Sequence, residues 1–174
     1  MTTDIKKYDF KDGLPQEFEI VDLTELYTKS KHILTKLHRA GFYHIIWFQD
    51  CNVSHFVDFN SIKIKSNSLL FLNKDVVHSF DNKEQVKGKV LLFTDNFFCQ
   101  TESDTKFLRQ SILFNDLFEV SKIEIQNQSI LFNQLIQLMT TELQILNDEF
   151  QAKILQNLLH NFLLIMILPN LRTG

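Results

Sequence analysis

A chain of 174 residues with 44% hydrophobic content is long enough to bury one sizeable core, and a formal net charge of -3 leaves no basic stripe for a nucleic-acid backbone. Cys51 and Cys99 lie far apart without a paired spacing, which argues against a disulfide framework or a zinc site and suits a reducing cytoplasm. No apolar run of signal-peptide length opens the chain, and the longest apolar run, Phe162 to Leu168, is too short to span a bilayer, so no membrane partner and a cytoplasmic location are expected.

Residues 1–16 are mostly charged and polar, are interrupted by Gly13 and Pro15, and read as a flexible arm, a frayed terminus being the plain alternative. Phe18, Ile20 and Leu23 suggest a first strand ending near Asp22-Leu23-Thr24, while Leu26 to Leu37 is ambiguous. From Phe42 to Phe48 the apolar content is nearly continuous, which predicts a strand covered on both faces. A hairpin follows at Asp50-Cys51-Asn52, with Asn52 best able to take a positive φ, and Ser54 to Phe59 pairs back.

The segment Ile62 to Phe80 organises the middle of the chain. Ile62 and Ile64 alternate with Lys63 and Lys65 at the period of a strand, and Ser66-Asn67-Ser68 turns the chain into Leu69-Leu70-Phe71-Leu72, apolar on both faces and hence a buried strand. Asn73-Lys74-Asp75 turns it again, and Val76-Val77 leads into His78, the one ionisable group of a short apolar strand. After the charged loop from Asp81 to Gln85, Val86 to Thr94 is another strand.

Asp95 is then expected to cap a short helical turn and Asp104 a helix from Thr105 to Phe118, and Ser121 to Ile125 reads as a short closing strand. Two long helices end the chain. The first, capped by Ser129, carries Ile130, Leu131, Leu135, Leu138, Met139, Leu143 and Leu146 at three- and four-residue intervals. The second runs from about Glu149 to Leu168, where Pro169 is expected to stop it, and its Ile154, Leu155, Leu158, Leu159, Phe162, Leu163, Ile165 and Met166 exceed one docking face. A second copy of the chain is the simplest cover for that surplus, through Leu135, Leu138, Leu143, Leu155, Leu158, Leu159 and Phe162, with an intramolecular cap on the open end of the strands as the alternative.

Three blocks in this order carry a resemblance: His38-Arg39-Ala40-Gly41-Phe42-Tyr43-His44-Ile45-Ile46-Trp47, then Ile62 to His78, then Lys87 to Phe98. Strand, tight turn, buried strand, tight turn and histidine-bearing strand resemble the second half of the small cupin barrel, and the whole resembles the N-terminal regulatory domain of AraC-type bacterial transcription regulators. The resemblance implies a mainly β fold with α: a small cupin-type jelly-roll barrel over 17–126 with a connecting helical segment, behind an arm at 1–16 and before a helical dimerisation segment, an antiparallel pair, at 127–170. It implies a domain that senses a small organic effector and dimerises, DNA being reached only through a helix-turn-helix half for which nothing after Leu168 leaves room. The chain is then an excised regulatory domain or a natural stand-alone version.

The site residues expected for that effector are Arg39, Tyr43, His44, Trp47, Phe71 and His78. An aromatic wall supplies burial, Arg39 can pair with a carboxylate or hydroxyls, and His78 can donate or accept, although strand alternation allows only one of Tyr43 and His44 to point inward. A sugar, an aromatic acid or a lipid would all suit such a pocket. The plain readings are a satisfied core histidine for His78 and a solvated rim residue for Arg39. His38, His44, His55 and His78 all fall in or beside predicted strands, and imidazole is the commonest metal ligand. Metal-holding cupins, however, place two histidines one residue apart, then a carboxylate, then a third histidine, and only His78 matches that pattern here, so neither a metal nor another cofactor is expected. No nucleophile, base and orienter cluster and no glycine-rich phosphate loop is visible, which disfavours an enzyme. The alternatives are a small stand-alone cupin, either a metal-dependent isomerase or dioxygenase or a non-catalytic interaction module.

Overall fold

The computed structural model of the chain describes residues 4–83, 85–115, 121–125 and 129–172. It is mainly β with α: two five-stranded sheets face each other, and a pair of long helices covers the outer face of one of them. In chain order the strands are β1 (Lys6–Tyr8), β2 (Phe18–Asp22), β3 (His38–Ala40), β4 (Tyr43–Phe48), β5 (Val53–Val57), β6 (Asn60–Ile64), β7 (Ser68–Leu72), β8 (His78–Phe80), β9 (Gly88–Phe93) and β10 (Lys122–Glu124). The helices are α1 (Leu23–Leu34), α2 (Asp95–Phe98), α3 (Glu102–Gln110), α4 (Ile112–Asn115), α5 (Ser129–Gln144) and α6 (Gln151–Arg172). The first sheet, A, has the order β1-β3-β8-β5-β6, and the second, B, the order β10-β7-β4-β9-β2.

Sheet B is built on β4, paired antiparallel with both β7 and β9. The unbroken apolar run of β4 follows from its place, because alternate residues enter two different cores. Tyr43, Ile45 and Trp47 join Leu69, Phe71, Leu91 and Phe93 in an outer core beneath α5 and α6. Ile46 and Phe48 join Leu70, Leu72, Val90, Val53, Val57, Ile64 and Phe80 in an inner core between the sheets, with Leu23 and Tyr27 of α1 packed at its side. Tyr27 also donates its hydroxyl to the Asp81 carbonyl at 2.6 Å. Gly88 makes the start of β9 possible. Its φ is +147° and a Cβ there would stand 1.8 Å from the Trp47 carbonyl oxygen, so only hydrogen fits between the two strands.

Several local expectations shift. Part of the segment read as a mobile arm is a strand: Lys6–Tyr8 pairs parallel with β3, the Tyr8 carbonyl accepts from Gly41 N–H at 2.9 Å, and Lys7 meets Asp75 at 2.6 Å. In the first hairpin Asp50, rather than Asn52, takes the positive φ, at 49°, and Asn52 instead accepts from the Ser66 backbone at 3.1 Å. Asn67 and Asp75 turn the chain at φ 59° and 65° where short polar runs predict turns. Thr94, not Asp95, caps α2 by accepting from Phe97 N–H. Thr101 caps α3, and Asp104 sits three residues inside it, closing a reciprocal capping box. The helix expected from Thr105 to Phe118 is broken at Ser111, and 116–118 lies outside the described residues. The boundary expected between 126 and 127 lies outside them as well. The second long helix runs through Pro169 to Arg172, because a proline so close to a helix end removes little of the ladder.

Helices α5 and α6 form a hairpin. The Gln151 side chain donates to the Glu142 and Ile145 carbonyls at 2.9 and 3.0 Å, tying the start of one helix to the end of the other. Farther along, Phe132 meets Phe162 at 5.4 Å between ring centroids. By length and composition alone, Gln151–Leu168 could cross a membrane, with a mean hydropathy of 1.2. Its Leu155, Leu159, Phe162, Leu163 and Met166 are instead buried in the outer core.

Candidate functional site

Four imidazoles meet at one end of the inner core. Each is placed by strand alternation: His38 and Ala40 are the inward residues of β3, His55 lies between inward Val53 and Val57 on β5, and His78 and Phe80 are inward on β8. His44 of β4 completes the set from sheet B, on the same face as Ile46 and Phe48. His78 is the hub. Its ring centroid lies 4.4 Å from His38, 5.1 Å from His44 and 5.2 Å from His55, and its Nδ1 shares a hydrogen bond of 3.1 Å with His55 Nε2, one ring donating and the other accepting. His38 Nδ1 lies 2.8 Å from the Lys36 carbonyl, which fixes its tautomer with the N–H on that nitrogen.

Aromatic rings wall this set. Phe42 stacks on His44 at 5.0 Å, while Phe48 and Phe80 meet His55 edge-on at 5.8 and 4.6 Å. Burial disfavours the charged form, and each histidine that did protonate would repel the next. Burial, with the neighbouring imidazoles added, lowers His44 and His55 to about 3 and His78 well below its ordinary value. His38 is lowered by burial, against the opposing effect of its bond to Lys36. Four neutral imidazoles therefore sit together at physiological pH. His55 Nδ1 and His78 Nε2 are buried with no hydrogen-bond partner among the described residues, so the set keeps unused polar capacity in an apolar interior. Among those residues, no three His, Cys, Asp or Glu side chains are placed to hold one metal ion between them.

Of the six residues expected to line a pocket, only His44 and His78 belong to this set. Arg39 is on β3 between His38 and Ala40, and alternation turns it outward, exposed, beside Asp75, whose carboxyl it helps to hold low after the larger effect of Lys7. Tyr43, Trp47 and Phe71 face the opposite side of sheet B and anchor the helices. Tyr43 stacks on Phe93 at 5.1 Å and donates its hydroxyl to Asp95 at 3.1 Å, burial and that carboxylate raising its pKa. Trp47 donates to Asn67 at 3.0 Å and meets Phe132 edge-on at 4.5 Å, and Phe71 packs against Phe114 at 5.7 Å. His38 and His55 are the residues that sequence reasoning left out. A partial signal was present, since period-two counting puts His55 on the face of Val53 and Val57 and His38 on that of Ala40.

The residues expected at a dimer interface divide in the same way. Leu135, Leu155, Leu159 and Phe162 are buried in the outer core of a single protomer, and Leu143 and Leu158 are half-buried against it. Only Leu138 is exposed, at 54%. The large apolar residues that α5, α6 and the turn between them leave in solvent are Ile130, Leu131 and Leu138 on α5, Ile145, Leu146 and Phe150 between the helices, and Ile154, Leu164 and Leu168 on α6; of these, Leu131, Leu138 and Ile145 recur at seven-residue spacing.

No family model matches the chain, and no curated protein matches it. Among solved structures, an apo ToxT variant from Vibrio cholerae is similar, with 12% sequence identity and a TM-score of 0.47 over 86% of this chain. The alignment covers 55% of that protein, so the chain spans about half the length of the structure it resembles.

Proposed function

We propose that this chain is the effector-sensing and dimerisation domain of an AraC-type transcription regulator, reaching DNA through a part of the protein outside the chain. The observation that carries this reading is the apolar surface left on α5 and α6 after the intramolecular core is complete. Leu131, Leu138 and Ile145 recur at seven-residue steps, and on α6 exposed Ile154 and Leu168 flank Leu158 and Ile165, which are half-buried against the outer core, and the polar Asn161, at alternating four- and three-residue steps. That is the spacing of a helix seam made for another helix, and a second copy of the chain supplies one.

The effector reading is supported by the histidine set, polar groups with unused hydrogen-bonding capacity inside an apolar sandwich. Occupancy there has a route to the helices. His44 and Tyr43 are consecutive on β4, one in the inner set and the other on Asp95 and Phe114 beneath the helical layer, so a shift of the strand is felt on both sides. In this reading the effector meets His38, His44, His55 and His78, while Tyr43, Trp47 and Phe71 act as the transmitting face.

Sedimentation velocity on the purified chain, alongside a thermal-shift screen of sugars, aromatic acids and fatty acids, tests both halves. A dimer that becomes a monomer in the double variant Leu138→Glu, Ile154→Glu, with its fold intact by circular dichroism, supports the interface; a chain that stays monomeric at high concentration overturns it. A compound that raises the wild-type midpoint with concentration but not that of His55→Gln supports the sensor, and a flat screen removes it.

A further inference from the structure

Sheet A is thinnest at one seam. β8 holds β5 through three residue pairs and β3 holds β1 through three, whereas β3 and β8 meet through a single pair, His38 opposite His78. Both members of that pair are therefore titratable, and their rings are 4.4 Å apart across the seam. Behind His78 stand His55, at a 3.1 Å hydrogen bond, and His44. Among the described residues, a further backbone bond across this region runs from Asp75 N–H, in the turn before β8, to the Ala40 carbonyl at 2.7 Å.

What faces these imidazoles from each side, among the described residues, offers no counter-charge. From β1, the Tyr8 ring meets His38 edge-on at 5.9 Å, with Lys6 Nζ over that ring at 4.9 Å. From β4 and the residues before it come Phe48 and Phe42, and from β8 comes Phe80. Arg39 of β3 is exposed on the outer side of the strand, where Lys7 and Asp75 form their own ion pair. The charge effects on His55 and His78 come from the other histidines.

We propose that the His38–His78 seam is an acid-sensitive latch: protonation of its imidazoles opens sheet A between β3 and β8 and releases β1 and β3 together, while sheet B and its helices stay folded. Two like charges directly opposite in a desolvated site repel, and opening returns both rings to water. Closing demands that they be neutral, so each histidine kept from its proton favours opening by up to about tenfold per pH unit below its ordinary value of about 6.5. The released unit keeps its own ladder, since β1 and β3 stay paired and Tyr8 still accepts from Gly41. The exposed Lys7–Asp75 pair is too solvated to hold the seam alone. Sheet B contains one of the four histidines, His44, and the two ladders of its central strand β4, with β7 and with β9, run through five and six consecutive residue pairs, so acid has far less purchase there. The latch does not depend on an effector or on dimerisation.

Amide hydrogen exchange at pH 7.5 and 5.5, with protection factors corrected for intrinsic rates and with EDTA present, tests it. The amides of Lys6–Tyr8 and His38–Ala40 are expected to lose at least about tenfold more protection at pH 5.5 than those of β4, β7 and β9. His78→Gln, which cannot titrate at that position, is expected to weaken that pH dependence by one histidine's share, up to about tenfold per pH unit. Seam amides that follow sheet B at both pH values overturn the proposal, as does a folded His78→Gln chain with the wild-type pH dependence. Should that variant fail to fold, an NMR titration of the wild-type imidazoles decides: ring signals of His38 and His78 that stay neutral to pH 5 with the seam protected overturn the latch. A transition of those rings coincident with loss of seam protection supports it.

Discussion

The two faces of sheet B carry two cores of different chemistry. The outer one, between the sheet and the helices, holds Phe18, Phe71, Phe93, Phe98, Phe132 and Phe162, each in contact with another aromatic ring, and Tyr43 Oη and Trp47 Nε1 both donate to side-chain oxygens at its edge. The inner one, between the sheets, is mostly aliphatic, and at one end it holds four histidines of which two leave a ring nitrogen unpaired. The outer core is a fastening and draws its stability chiefly from buried apolar area, whereas the inner core carries groups whose stability depends on protonation. A sandwich that needed only to fold would place leucine or phenylalanine where these imidazoles are. The inner end is thus where the chain gives up stability for chemistry.

That contrast can be broken from the outside first. Phe162→Ala, which empties a fully buried ring that packs on Phe132 in the outer core, is expected to cost about 3–5 kcal/mol in denaturant unfolding at pH 7.5, a loss of buried area and packing rather than of charge. Gly88→Ala attacks the strand pairing that both cores share. Its methyl group collides with the Trp47 carbonyl, and a loss of about 1–3 kcal/mol is expected from the same measurement.

The inner core is expected to show itself by its pH slope. Burial holds His44, His55 and His78 below their unfolded value of about 6.5, so between that value and about 3 the unfolded chain binds more protons than the folded one. The stability they contribute is complete above about pH 6.5 and is lost as the pH falls, by about 1.4 kcal/mol per unit for each histidine kept neutral. Urea midpoints at pH 7.5, 6.5 and 5.5 read that slope, and a flat curve would show that the imidazoles carry their protons in the folded state. Arg39→Ala sharpens the comparison from the other direction. Exposed on the outer side of β3, Arg39 touches neither core, and its loss is expected to shift stability by no more than about 0.5 kcal/mol and to leave the pH slope unchanged.

Much of this arrangement is legible in the chain. The strands around Phe42–Phe48, Leu69–Leu72 and Val86–Thr94 follow from apolar runs and period-two alternation, and the two long helices from apolar residues at helical spacing. The set of lining residues was not legible, because an apolar run covered on both faces does not say which face is the interior. His44 and Tyr43 are adjacent in sequence and equally at home in a buried strand, yet one turns to the histidines and the other to the helices.

The helix pair repeats the lesson. Leu135, Leu155, Leu159 and Phe162 look like the best self-association residues by size and spacing, and they are the ones the protomer consumes in its own outer core. Composition, pattern and turn chemistry therefore determined that this chain makes strands, then helices, and where most of them begin, since those choices depend on neighbours within a few residues. Tertiary structure alone decided which face of each element is inside. It brought His38, His44, His55 and His78 from four strands to one point, and it reduced the tie between β3 and β8 to a single pair, because pairing register and sheet order join residues that lie far apart along the chain.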